Sequence, residues 1–207
     1  MNPDLYLAFV LATVVLIAIP GPNVTLIIAH GVSFGPRRAL ATVTGTQCAQ
    51  AVQLAFVALG MTTLILAFAA WFEALRWLGV AYLVWLGIQR WRSARLVGDG
   101  PSLGAVATRT LFWQGFFVGL TNPKTWLFYA AFFPQFVDPG GPLGVQLAIL
   151  SASYLAIATV LDGSYALLAG RVRGWLRDGR REKLAGRLSG TLLIGAGLWL
   201  AMARRSS

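Results

Sequence analysis

The stretch Leu16-Ile17-Ala18-Ile19-Pro20-Gly21-Pro22-Asn23-Val24-Thr25 decides how the rest of the chain is read. It lies inside an apolar run, Leu5–Ala29, long enough to cross a hydrocarbon core, which takes about 20 helical residues. Proline has no N–H and its ring clashes with the carbonyl one turn back, so Pro20 and Pro22 open the helix. Freed backbone groups find no water in hydrocarbon, so such a break survives only where protein or a wet cavity covers it. The stretch therefore predicts a discontinuous membrane helix whose opened backbone and Asn23 amide face a polar ligand, with a purely structural kink as the alternative. The segment has no basic region before it, carries Asp4, and offers Pro20-Gly21-Pro22 where a leader would have small residues. It reads as a retained span rather than a removed leader.

Composition points the same way. Of 207 residues, 57% are hydrophobic and 12% charged, with a mean hydropathy of +0.68. Soluble domains hold about 45–50% apolar and ~25% charged residues, and disordered chains are poorer still in apolar ones. Six segments qualify as spans: Leu5–Ala29, Ala39–Ala69, Ala74–Trp91, Leu111–Val137, Leu143–Gly170 and Leu188–Met202. The net charge of +10 would suggest nucleic acid in a soluble protein, but the basic residues sit in the gaps between spans. The first, third and fifth gaps hold 13 of the 17 Lys and Arg, which places those gaps in the cytoplasm and both termini outside. Trp71, Trp77, Trp91, Trp113 and Trp199 fall near span ends, where amphipathic rings settle. One cysteine, Cys48, and one histidine, His30, exclude an intramolecular disulfide and a multi-histidine metal site. His30 is expected at a cytoplasmic helix end, in water.

The expected fold is all-α and integral to the membrane, a single domain over residues 1–207. Its six transmembrane helices form two inverted three-helix repeats, about 1–95 and 111–207, joined by a cytoplasmic loop at about 96–110. An odd number of spans per repeat inverts the second against the first, and carriers built this way hold their ligand near the midplane. Each repeat opens with a broken helix, at Pro20-Gly21-Pro22-Asn23 and at Asn122-Pro123-Lys124. Lys124 falls near the centre of its span, where a lysine costs roughly 2.5–3.5 kcal/mol to insert. A bundle-interior role follows: pairing with Asp162, holding a substrate carboxylate, or changing protonation. Asp162 is the acidic residue deepest in a span and suits a proton relay or a static partner of Lys124. In the second span Thr42, Gly45, Thr46, Ala49, Gln50 and Gln53 share one side at three- and four-residue steps. They predict either a pore-facing wall or close helix packing. Gly115 and Gly119 form a GxxxG pattern that reads as packing. The candidate substrate-binding or coupling residues are thus Pro20, Gly21, Pro22, Asn23, Thr46, Gln50, Gln53, Asn122, Pro123, Lys124 and Asp162.

No Ser–His–Asp set, cysteine pair, HExxH or phosphate loop is present, so the chain reads as no enzyme, with no cofactor or metal and no direct use of ATP. Several motifs together carry a family resemblance. They are Pro20-Gly21-Pro22-Asn23, Ser33-Phe34-Gly35-Pro36-Arg37-Arg38-Ala39, Trp77-Leu78-Gly79-Val80-Ala81-Tyr82-Leu83-Val84-Trp85-Leu86-Gly87, and Gly115…Asn122-Pro123-Lys124…Phe133-Pro134-Gln135-Phe136. In this order the chain resembles the LysE family of amino-acid exporters, its homoserine/threonine-exporter branch in particular. The resemblance implies a carrier in the bacterial inner membrane that expels amino acids or similar small metabolites by a secondary, proton-coupled mechanism. The implied partners are an amino acid, protons and the bilayer, with no nucleic acid; the sequence leaves open whether the chain forms a homo-oligomer. Where many members have an acid and a histidine in the second span, this chain has Gln50 and Gln53, which leaves Asp162 as the deep acid. A passive channel or lipid-handling protein is the alternative, separated by unsaturable flux; an intramembrane enzyme lacks a nucleophile–base set.

The charge pattern makes a direct prediction. A cysteine placed between Arg171 and Arg187 should resist an impermeant thiol reagent in spheroplasts and react once the membrane is opened. Ready labelling in intact spheroplasts would reverse the orientation.

Overall fold

Prolines set the helix starts. Pro3, Pro22, Pro36 and Pro123 each open a helix, at positions where the missing N–H breaks no intrahelical bond. The structure, a computed structural model, describes residues 2–60, 77, 80–89, 91–92, 106–175, 187–188, 190–191, 194–195 and 198. In chain order the helices are α1 (Pro3–Ala18), α2 (Pro22–Phe34), α3 (Pro36–Gly60), α4 (Val80–Gln89), α5 (Thr108–Leu120), α6 (Pro123–Ala131) and α7 (Leu143–Trp175). A 3₁₀ turn, Phe133–Phe136, follows α6. No strand occurs among the described residues.

The first apolar run is two helices, α1 and α2, bent by 52° at the Pro-Gly-Pro break. The fourth, Leu111–Val137, is α5, α6 and the 3₁₀ turn, with the break at Thr121-Asn122. The fifth is continuous, and Leu143–Arg171 is apolar enough over 29 residues to cross a bilayer. α7 runs on to Trp175, beyond the expected end at Gly170. The end of the second run, the start of the third, most of the third and fifth gaps and most of the sixth run lie outside the described residues.

Gly35 has φ 88°, a left-handed conformation that favours glycine, and it turns the chain from α2 into α3 without a loop. That turn corrects the expectation for His30. The residue is fully buried, and its Nδ1 lies 2.6 Å from Thr42 Oγ1, because α3 folds back along α2 and sets Thr42 opposite it. Further along, the Asp138–Pro142 turn is held by one amide side chain. Gln146 Oε1 accepts from the Asp138 N–H at 2.9 Å, and its Nε2 donates to the Asp138 carbonyl at 2.9 Å.

α7 packs against α1, α2 and α3 through one stripe: Leu147, Leu150, Tyr154, Ala158, Asp162, Ala166 and Ala169, all buried. Around its first half Phe9, Phe128, Tyr129, Phe133 and Phe136 form an aromatic cluster with edge-on contacts, such as Phe9–Phe133 at 5.3 Å. Leu26 and Ala29 of α2 meet Val80, Leu83 and Leu86 of α4 and Val118 of α5 in a second cluster. The outward faces carry Leu7, Leu11, Val15, Phe56, Trp85, Trp113, Phe117, Leu127, Val160 and Leu168, all exposed. So much exposed apolar surface fits lipid, not water, and the chain is a helical membrane protein.

The polar side of α3 proves to be mostly a packing seam. A Cβ on Gly45 would overlap the Phe112 carbonyl, and one on Gly115 would overlap the Thr42 carbonyl, so α3 and α5 touch backbone to backbone. Gly119 packs in the same way against Thr46 and Ala49. Close approach through small residues is how helices associate where lipid removes the hydrophobic drive. Gly115→Ala should therefore destabilise the fold by about 1–3 kcal/mol through overpacking, read as a lower thermal midpoint in detergent. Gly144→Ala, where an added Cβ meets nothing within 4 Å, should leave the midpoint unchanged. Equal midpoints for both variants would refute the crossing.

Candidate functional site

In a continuous helix the carbonyls of Leu16 and Ala18 would accept from the N–H groups four residues on. Those residues are Pro20 and Pro22, which have none. α1 accordingly ends at Ala18, with Ile19 N–H bonded back to the Val15 carbonyl at 3.2 Å. The orphaned carbonyls are taken by side chains from the second half of the chain. Lys124 Nζ donates to the Leu16 and Ile19 carbonyls, and Tyr165 OH donates to the Ala18 carbonyl at 3.0 Å. The negative end of the α1 dipole adds to the attraction for a cation there.

The second break is sealed from the opposite direction. Pro123 cannot donate to the Gly119 carbonyl, and the Lys124 N–H turns instead to Asn122 Oδ1 at 3.1 Å, capping α6. Gln53 of α3 fills the gap: its Nε2 donates to the Gly119 and Leu120 carbonyls, both at 3.1 Å. Its Oε1 accepts from Thr125 Oγ1 at 3.0 Å, and Trp126 Nε1 donates to the Leu120 carbonyl at 2.8 Å. Each break is thus closed by a side chain from the other half, Gln53 in one direction and Lys124 in the other.

Between the breaks lies a cavity of about 20 Å³ lined by Leu16, Ile17, Gly21, Asn23, Val24, Gln50, Asn122, Lys124, Thr125, Tyr154 and Asp162. That is room for about one water molecule. Of the residues singled out from sequence, Gly21, Asn23, Gln50, Asn122, Lys124 and Asp162 meet here. Pro20, Pro22 and Pro123 shape the breaks without lining the cavity. Thr46 and Gln53 stand behind it: Thr46 Oγ1 donates to the Val43 carbonyl at 2.8 Å, and the Gln53 side chain is occupied by the second break. Asn23 Oδ1 and Gln50 Oε1 are buried acceptors without a hydrogen-bond partner, in residues 5% and 3% exposed. Leaving such a group unpaired costs about 1–3 kcal/mol.

Asp162 is 2% exposed and stands roughly 20 Å or more from either end of the 33-residue α7. Its Oδ2 accepts from Gln47 Nε2 at 3.1 Å. The direct ion pair with Lys124 considered from sequence is not formed in this state, because Lys124 is held by the α1 carbonyls. Sequence reasoning passed over Gln47, Tyr154, Thr125 and Tyr165. Helical spacing carried a signal for two of them. Gln47 is one turn before Gln50, and Tyr154 is two turns before Asp162 on the same stripe. The backbone carbonyls of α1 leave no residue-type signal beyond the prolines that orphan them.

The model of the LysE type translocators matches residues 14–204. The chain is 34% identical over 207 residues to the homoserine/homoserine lactone efflux protein of Salmonella typhimurium, covering all of both chains. It is 31% identical over 204 residues to an uncharacterized membrane protein of Vibrio cholerae, covering 99% of this chain and all of that one. To the leucine efflux protein of Klebsiella pneumoniae it is 30% identical over 205 residues, 95% of this chain and 94% of that one. No solved structure matches the chain. Two broken apolar helices beside a cavity lined in part by polar side chains accord with a match over nearly the full length, and that match makes the chain a member of the LysE family of translocators, a transporter and not an enzyme.

Proposed function

We propose that this translocator exports amino acids or amino-acid-like metabolites across the bacterial inner membrane, by proton antiport, and binds them at the cavity between the two breaks. The observation that carries the reading is that Leu16, Asn23 and Gln50 line one cavity beside the opened end of α1, with the Asn23 and Gln50 oxygens buried and unpartnered. The opened carbonyls and these two oxygens are acceptors, and they suit a ligand rich in N–H donors. Homoserine, homoserine lactone and leucine, the cargoes named for two relatives, differ in side chain, and the lactone lacks a free carboxylate. Their shared cation is the α-ammonium group. In this reading the ammonium sits at the C-terminal carbonyls of α1, where the helix dipole is negative. A carboxylate, where the substrate has one, faces the N-terminal ends of α2 and α6, as in other carriers with discontinuous helices.

Asp162 is the acid lining this cavity and the group we assign to proton coupling. Its burial at a core position of α7 makes it a costly residue to keep for packing alone. The remaining architecture follows the sequence reading: six spans as two inverted repeats, odd-numbered gaps in the cytoplasm, both termini periplasmic.

The test is uptake of labelled amino acids into inverted vesicles, with and without an inside-acid pH gradient. The wild type should accumulate at least one member of the panel saturably, and the gradient should raise accumulation severalfold. Asp162→Asn, made at normal level, should lose the response to the gradient. Gradient-driven uptake by Asp162→Asn equal to the wild type would remove Asp162 from coupling, and unsaturable wild-type flux would favour a channel.

A further inference from the structure

Lys124 occupies the place that the proposed substrate cation needs. Its Nζ donates to the Leu16 and Ile19 carbonyls, the same acceptors assigned above to the α-ammonium. Its stem lies along the break, with Cδ 3.2 Å from where a Cβ on residue 21 would stand, so Gly21 leaves it room without a shift. With Lys124 seated there, the remaining cavity of about 20 Å³ takes a water and no amino acid. Asp162 lines the same cavity and is bonded to the neutral Gln47 rather than to a cation. It offers Lys124 a second berth.

We infer that Lys124 is a tethered counter-substrate. In the empty carrier its ammonium fills the carbonyl cage of α1; arriving substrate displaces it toward Asp162, and departing substrate lets it return. The inference rests on the cavity being the substrate site. Its physical basis is that carbonyls opened by Pro20 and Pro22 cannot be left bare in a low-dielectric interior. An empty carrier needs a cation there to change its facing, and the chain supplies one. The loaded carrier does not, because the substrate brings its own. Lys124 thus serves the return of the empty carrier more than the passage of the loaded one.

Proteoliposomes separate the two half-cycles, with labelled L-homoserine as probe. Exchange, with homoserine on both sides, uses the loaded carrier alone; net efflux into homoserine-free buffer also needs the empty carrier to return. Lys124→Met should cut net efflux at least tenfold while keeping exchange within about threefold of wild type, with homoserine bound as tightly or more tightly. Loss of both with weakened binding would make Lys124 a direct substrate ligand and overturn the inference. Retention of both would overturn it as well. If Lys124→Met does not fold, Lys124→Arg decides. A guanidinium stays charged, is more weakly hydrated and brings five donors in a fixed fork, so it should hold the cage more persistently and lower homoserine affinity severalfold, whereas at a carboxylate-binding position arginine would hold or improve it. The substrate site itself is judged separately, on the wild type: if Asn23→Ala and Gln50→Ala together leave homoserine binding unchanged, the cavity is not the site and the inference falls with it.

Discussion

Everything at the centre of this protein depends on carbonyl groups that the sequence has deprived of their donors. Pro20 and Pro22 stand four residues after Leu16 and Ala18, and those are the carbonyls met by Lys124 and Tyr165. In water such groups would cost little. In a bilayer each unpaired group costs several kcal/mol, so the break is tenable only with the second half of the chain docked against it. The reciprocal device, Gln53 across the second break, binds the halves in the other direction. The breaks are therefore both the polar centre and the clasp between the halves.

The rest of the fold serves this arrangement. Gln53 reaches the Gly119 carbonyl because α3 and α5 touch at Gly45 and Gly115, with no side chain between them. Lys124 reaches α1 past Gly21, whose missing side chain leaves its stem unobstructed. α7 carries Tyr154, Asp162 and Tyr165 on one uninterrupted helix beside the two broken ones. One continuous helix beside two broken ones is the arrangement from which alternating access would be built in the proposed mechanism.

Most of this frame was legible in the sequence. Long apolar runs, the proline breaks and the mid-span charges Lys124 and Asp162 are chemically loud features, and each follows from the cost of polar groups in hydrocarbon. Gln50 and Gln53 show where legibility ends. They lie one turn apart on the same face, yet Gln50 lines the cavity while Gln53 seals a backbone break behind it. Which of two like amides meets the cavity depends on the partner helix and its local path, which composition does not encode. His30 was misread for a related reason. It stands next to a turn, but a glycine turn with no loop buries its flanks instead of exposing them. The opened α1 backbone was legible from its prolines, but its partners, Lys124 and Tyr165, are set by how the second half docks and leave no local signal.

The central claim is that the cavity recognises a cation, the α-ammonium, more than a carboxylate. It is tested most directly by displacement of labelled L-homoserine from the purified carrier in nanodiscs. The competitors are homoserine lactone, which keeps the ammonium and lacks the free carboxylate, and 4-hydroxybutyrate, which keeps the carboxylate and lacks the amine. The account predicts that the lactone displaces within about tenfold of homoserine's own concentration, while 4-hydroxybutyrate fails at a hundredfold excess. Displacement by 4-hydroxybutyrate as effective as by homoserine, with the lactone inert, would contradict it.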